Sequence, residues 1–388
     1  MQVAKIENHI RITMNIRSFS IGILLVILIL TGSSFQGIQK LQISKQKVKN
    51  IILFLGDGMG ISHVYAAMTT NPRKLSLESF PFTGLSITYS SDNYITDSGA
   101  GGTAIACGVK TRNGMIGMSP DSNAVSSIVE IAHKNGLATG VISTKSITDA
   151  TPASFIAHTC NRSNQENIAK YFLDGTVDVF IGGGMNFFRN RKDGIDLTYK
   201  LKKQGYNVVY SLDDLKKSNS LKIAGLLADN NMPALSESGT RIGHLQEMTR
   251  KAIETLSKDK DGFFLMVEGA FIDLEAHRGD LDNIIAEVVD LDNAVEVAKK
   301  FAIKNGETLI IVTADHETGG LRMVGGSIEK NEASGAFVEE GIFFNKRGIH
   351  TAGMVPIFSY GPEANRFSGI HENTFFLNEF LDLLKIKR

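Results

Sequence analysis

Tryptophan is absent from the 388 residues, cysteine occurs twice and proline seven times. Two thiols, Cys107 and Cys160, cannot form the disulfide framework of a small secreted scaffold, and both are expected to be buried small hydrophobes. Net charge is missing too, because 41 basic residues balance 41 acidic ones. A nucleic-acid surface needs a basic patch or stripe, so nucleic acid is not expected as a specific partner. No apolar run approaches the roughly 20 residues that a spanning helix needs. There is no internal repeat, low-complexity tract or heptad array, and Gly182-Gly183-Gly184 lacks the Lys and Ser/Thr of a phosphate-binding P-loop. What remains, with 43% hydrophobic residues and 38 glycines, is a globular, loop-rich chain long enough for one large α/β domain or two smaller ones.

The N-terminus has a pattern of its own. Arg11 and Arg17 precede the apolar stretch from Ile21 to Leu30, and Thr31-Gly-Ser-Ser34 follows it. A basic segment, a short apolar core and small exit residues make residues 1–34 a signal peptide, with Met14 as a second candidate start and residues 35–47 as a linker. The expected destination is the periplasm or the extracellular space, with no stable membrane span. No cysteine follows the apolar core, so lipid attachment is not indicated.

Beyond the linker the chain alternates apolar runs with amphipathic stretches. Asn50–Leu55, Leu137–Ser143, Val177–Ile181, Tyr206–Tyr210, Phe263–Val267, Thr308–Val312 and Met354–Tyr360 read as strands. Ala124–Asn135, Arg241–Ser257 and Leu281–Lys304 read as helices. This rhythm predicts an α/β fold with a doubly wound, mostly parallel central sheet and helices on both faces, in which ligands sit beyond the carboxyl ends of the strands. Residues 185–240 and 321–348 are more polar and read as excursions on that core.

Several apolar runs end in residues that bind divalent ions. Asp57 follows the first strand among glycines, and Glu268 closes the Phe263–Val267 strand. Asp273 and His277 are four apart, which places a carboxylate and an imidazole on one helical face. Asp315 and His316 follow another strand, and His350 precedes the last. Each has an ordinary reading as a cap, an ion pair or a structural histidine; their shared placement at one predicted sheet edge argues for a common site. Ser98, between Asp97 and a run of Gly, Ala and Thr, sits at a predicted helix N-terminus that favours an anion, although a serine there also serves as a simple cap. Asp149 and Thr151 add oxygen donors, Thr151 a neutral one suited to a hard ion. Arg162 supplies a planar fork for two phosphate oxygens, or else a surface salt bridge within a nominal Asn161-Arg162-Ser163 glycosylation sequon.

In this order, Gly56-Asp-Gly-Met-Gly60, Thr96-Asp-Ser-Gly-Ala100, Asp149-Ala-Thr-Pro152, Val267-Glu-Gly-Ala270 with Asp273 and His277, Thr313-Ala-Asp-His316 and Gly348-Ile-His350 resemble the motifs of the alkaline phosphatase family, over about residues 48 to 362. The resemblance implies a catalytic domain at residues 48–388, with a surface insertion at about 321–348. It implies two zinc ions, one held by Asp273, His277 and His350 and the other by Asp57, Asp315 and His316. It also implies one magnesium ion, held by Asp57, Thr151 and Glu268, with Asp149 acting through water. Ser98 would be the nucleophile, forming a phosphoserine, and Arg162 the phosphate clamp; a homodimer follows by analogy.

Three such ions and Arg162, set against Asp57, Glu268, Asp273 and Asp315, leave a positive surplus that a Ser98 alkoxide and a phosphate dianion neutralise. Phosphate monoesters are therefore the expected substrates. Leu274 departs from the family pattern, in which many members carry a basic or aromatic residue that reaches phosphate through water, and looser product retention is expected. A phosphodiesterase or other ester hydrolase of the same superfamily is the nearer alternative. It is disfavoured by Ser98 with Arg162 and by the lack of a sulfatase-type motif after Ser98. A non-catalytic metal- or phosphate-binding protein is the more distant alternative.

Overall fold

The run Asn50-Ile-Ile-Leu-Phe-Leu55 forms β1 (Asn50–Gly56), and every residue of it is buried. Its alternate side chains feed two separate cores. Ile51, Leu53 and Leu55 pack into one and Ile52 and Phe54 into the other, as the pleat of a strand covered on both faces requires. The computed structural model describes residues 47–337 and 349–388. The expected signal peptide, Met14, all of the linker except Lys47, and residues 338–348 of the expected insertion lie outside the described residues.

After β1 come β2 (Phe82–Ile87), β3 (Ala138–Ser146), β4 (Val179–Gly183), β5 (Asn207–Val209), β6 (Ile223–Leu226), β7 (Phe263–Gly269) and β8 (Thr308–Thr313). Next are β9 (Glu317–Thr318), β10 (Arg322–Ser327), β11 (Glu332–Ala336) and β12 (His350–Thr351), which pair outside the main sheet as β9 with β12 and β10 with β11. β13 (Val355–Tyr360) and β14 (Gly369–Glu372) then rejoin it. The ten-stranded order is β14-β2-β13-β8-β1-β7-β3-β4-β6-β5. β13 runs antiparallel to both of its neighbours, and the other described pairings in this sheet are parallel.

The helices Ser98–Cys107, Ile128–Lys134, Gln165–Tyr171 and Phe375–Leu384 contribute to one core, and Ile61–Thr70, His244–Leu256 and Leu281–Asn305 to the other. The fold is thus the doubly wound α/β architecture expected. Register then sets the working edge. Leu55 lies opposite both Glu268 and Thr313, and Ser143 opposite Glu268, so β8, β1, β7 and β3 end side by side.

Several expectations need correction. The helix read over 124–135 starts at Ile128, because Ser127 and Glu130 form a reciprocal capping box and residue 124 instead bridges to Met118. Residues 185–240 are not merely an excursion, since β5 and β6 lie within them and complete one side of the sheet. Both cysteines are free; Cys107 is buried as expected, but Cys160 is exposed. No described helix is long and apolar enough to cross a membrane.

Candidate active site

Ser98 is the first residue of its helix, and the cap is Asp97, whose side chain accepts the Ala100 N–H at 2.9 Å. The serine hydroxyl is therefore not needed as a cap. It lies 3.2 Å from His316 Nε2. All ten residues of this helix are buried. A Cβ on Gly101 would stand 2.7 Å from the Asp315 carbonyl oxygen, so glycine lets the helix lie directly against the loop that carries Asp315 and His316.

Asp57 follows the end of β1 and does not cap the next helix, whose N-cap is Gly60. Asp273 and His277 share the Phe271–Arg278 helix, with His277 Nε2 3.3 Å from Asp273 Oδ1. His350 Nε2 is 3.4 Å from the same oxygen. The His316 and His350 rings stack with centroids 3.7 Å apart, and the His277 ring is 5.0 Å from that of His350.

Two groups have ligand atoms close enough to share an ion: Asp273, His316 and His350, and Asp57, Asp315 and His316. The second is the set expected for one zinc. In the first, His316 stands where His277 was expected, and His277 lies beside the group through Asp273. Among the described residues, neither Glu268 nor Asp149 joins a group of three such ligands. Glu268 instead accepts a hydrogen bond from Ser143, directly across the β3–β7 pairing. Asp149 caps the short Ala150–Ala153 helix, where Thr151 is buried.

Arg162 donates to Asp97 Oδ2 at 2.9 Å and lies 3.5 Å from Asp149 Oδ1, so two carboxylates aim its guanidinium. Asp97 Oδ2 also accepts the Gly114 N–H. One side chain thus joins the Ser98 helix, a neighbouring loop and the arginine.

The electrostatics are those of crowded, dehydrated carboxylates. Burial, then the Asp273 charge, pushes the Asp57 carboxyl up to about 6. Burial, then the Asp57 charge, pushes Glu268 up to about 8. Asp315 is raised well above the usual range for the same reasons. Burial drives the His316 imidazole well below its usual value, and the neighbouring His350 adds to this. Asp273 goes the other way: burial opposes its charge, but hydrogen bonds from His277 and His350, with the nearby Lys145 charge, together hold it well below the carboxylate range. Asp57 Oδ1 and Asp315 Oδ2 are buried with no hydrogen-bond partner. Orphaned anionic oxygens beside imidazole nitrogens fit divalent cations, whose charge compensates such a cluster.

The sequence reading missed three participants. Thr318 donates to Asp273 Oδ1 at 2.6 Å and lies 3.2 Å from His316 Nδ1. Ser143 orients Glu268. Lys145, the one basic residue of the largely buried β3, places its ammonium 3.3 Å from Asp57 Oδ2. A lone lysine at the carboxyl end of a buried strand is a signal the sequence did carry.

A serine hydroxyl at a helix N-terminus, an aimed guanidinium and two groups of metal-binding donors at a sheet's carboxyl edge define a class, the metal-assisted hydrolases of phosphate-like esters. Residues 48–343 match the family described as Alkaline phosphatase. Alkaline phosphatase 4 of Bacillus subtilis is 33% identical, the alignment spanning 92% of this chain and 94% of that protein. The alkaline phosphatase of Escherichia coli is also 33% identical, over 89% of this chain and 88% of that one. The solved alkaline phosphatase of the Antarctic bacterium TAB5 superposes with a TM-score of 0.81 at 37% identity, covering 88% of this chain and 99% of its own. A variant of that enzyme, solved with magnesium bound, is 38% identical. The chain belongs to the alkaline phosphatase family. It is a phosphatase, an enzyme of small phosphomonoesters.

Proposed function

We propose that this chain hydrolyses phosphate monoesters through a phosphoserine at Ser98, with two zinc ions and one magnesium ion as cofactors. The observation that carries the reading is the Ser98 hydroxyl 3.2 Å from His316, the residue common to both donor groups. Asp273 with His277 and His350 would hold one zinc, and Asp57, Asp315 and His316 the other. Asp57, Thr151 and Glu268, with Asp149 through water, would hold the magnesium. When bound, such ions lower the pKa of coordinated hydroxyls and water and neutralise phosphate charge.

The chain's own residues do the rest. Arg162, steadied by Asp97 and Asp149, grips two phosphate oxygens and orients phosphorus toward Ser98. Ser98 Oγ gives up its proton to solvent and attacks in line, forming its bond to phosphorus as the bond to the alcohol oxygen breaks and that oxygen takes a proton from water, while the helix N-terminus favours the negative charge of the transferring group. Water then attacks phosphorus from the opposite side, breaking the bond to Oγ and releasing phosphate. Supporting the monoester over the diester, three divalent ions and Arg162 set against Asp57, Glu268, Asp273 and Asp315 leave a positive surplus that the dianion of a monoester balances better than the monoanion of a diester. Export through the N-terminal segment and assembly as a homodimer belong to the same proposal.

The test is hydrolysis of a chromogenic phosphomonoester against the matching diester and sulfate ester, with and without chelator and with zinc and magnesium restored. The reading expects a monoester preference, lost to chelator and regained with metal. A preference for diester or sulfate would overturn it, as would inactivity in a fully metallated sample.

A further inference from the structure

Lys145 is unusual among the site's charged groups in being a cation built into the donor cluster itself. Ser143 and Lys145 lie two apart near the carboxyl end of β3. Ser143 bonds Glu268 across the sheet. Lys145 extends past the end of β7, where its Nζ lies 3.3 Å from Asp57 Oδ2 and 3.9 Å from Asp273 Oδ2. The lysine side chain is 14% exposed, against 4% and 10% for its two partners. A solvated surface pair does not describe it.

Asp57 and Asp273 belong to different donor groups, one with Asp315 and His316 and the other with His316 and His350. One ammonium thus links a carboxylate from each. Asp149 and Glu268 lie near enough for their charges to act on it as well. Five carboxylates, those of Asp57, Asp149, Glu268, Asp273 and Asp315, share a largely dehydrated space, and without a counter-ion they repel one another strongly.

We propose that Lys145 is the resident counter-ion of this cluster, that its ammonium and divalent ions compete for Asp57 and Asp273, and that it thereby sets how tightly the chain holds its metals. This rests on the reading of Asp57 and Asp273 as metal ligands. Before loading, the lysine stabilises the folded site. On loading, divalent ions draw on the same two carboxylates and weaken its hold on them, with Asp149 as the next anion within its influence. Nothing is made or broken covalently.

The test is zinc affinity of the full-length protein, stripped of metal and titrated in competition with a chromogenic chelator, for wild type, Lys145→Met and Lys145→Arg. Lys145→Met keeps an unbranched stem without charge, and it is expected to bind zinc about tenfold or more tightly. Its metal-free form is expected to melt below wild type. Lys145→Arg retains the charge and should stay within about threefold of wild type. Equal or weaker zinc binding by Lys145→Met would overturn the proposal. Should metal-free Lys145→Met fail to fold, zinc release from loaded protein into excess chelator gives the same comparison, with slower release expected and equal or faster release overturning it. A wild type that binds zinc but hydrolyses no phosphomonoester would sink the proposed function alone. Hydrolysis intact with Lys145→Met no tighter would sink this inference alone, and no zinc binding by wild type would sink both.

Discussion

Gly101→Ala is the smallest change that tests whether the Ser98 helix is held at a set distance from the donor loop. The new Cβ would lie 2.7 Å from the Asp315 carbonyl oxygen and 3.2 Å from both the carbonyl carbon and Cβ of Asp315. Ordinary contact needs about 3.4 Å, so helix and loop must part by about 0.7 Å, and the obstacle is backbone that has no rotamer to yield. Overpacking of this kind costs about 1–3 kcal/mol, and the gain from Ala over Gly within a helix offsets about 1 kcal/mol of it. Net destabilisation of about 0–2 kcal/mol is expected. The larger effect falls on function, because the shift separates Ser98 from His316. A misplacement approaching 1 Å is worth up to about a hundredfold, so kcat/KM for a chromogenic phosphomonoester should fall about 10- to 100-fold at saturating zinc and magnesium. Gly102→Ala is the internal comparison. Its Cβ would meet Ser154 Oγ at 3.0 Å and Ser154 Cβ at 3.1 Å, an overlap about half as large in which the hydroxyl can rotate away, so the loss should be markedly smaller. Wild-type kcat/KM and melting temperature in Gly101→Ala would refute the reasoning.

Asp97→Ala removes the acceptor for the Ala100 and Gly114 N–H groups and one of two carboxylates aiming Arg162. It should cost about 1–2 kcal/mol of stability in urea titration and weaken inhibition by inorganic phosphate about tenfold. Arg241 is buried between Asp290, at 2.7 Å, and Glu287. Arg241→Met should destabilise by about 3–5 kcal/mol in the same titration, because two buried carboxylates lose their cation; a loss below about 1 kcal/mol would contradict this. Burial opposes the charge on His158, but its bond to Glu130 at 3.0 Å, its bond to the Gly117 carbonyl and the Glu130 charge together outweigh burial and raise its pKa, while that of Glu130 is lowered. The histidine's contribution is complete below its unfolded value of about 6.5 and fades as pH rises through the raised folded value. The glutamate's is complete above about 4.5 and fades as pH falls through the lowered one. His158→Gln should therefore cost about 1–2 kcal/mol near pH 6 and much less at pH 9, read as the difference in melting temperature from wild type at each pH.

The central strands were legible because continuous apolar runs such as Asn50–Leu55 and Phe263–Val267 have few alternatives to a strand covered on both faces. The edge was less so. β6 is only four residues of Ile, Ala, Gly and Leu, too short to show a period, and its place in the sheet comes from pairing with β4 and β5. The acidic and histidine residues were visible as strand-end punctuation, and Asp57, Asp273, Asp315, His316 and His350 do meet at one edge. Which imidazole completes which group was not visible, because it depends on how the loop after β8 folds His316 back onto His350. Lys145 was overlooked because the motifs drew attention to anions. A cation that balances them carries no spacing rule: its one sign in the sequence was a lone lysine in a strand, and its partner Asp57 is seen only in the structure.

The most direct measurement is trapping of the phosphorylated protein. Metal-loaded wild type and Ser98→Ala would be incubated with a phosphomonoester or inorganic phosphate, quenched in acid and mapped by peptide mass spectrometry. The account predicts one phosphate on the peptide carrying Ser98 in wild type, with none on Ser98→Ala and hydrolysis reduced by orders of magnitude. Phosphate on another residue, or wild-type turnover by Ser98→Ala, would contradict it.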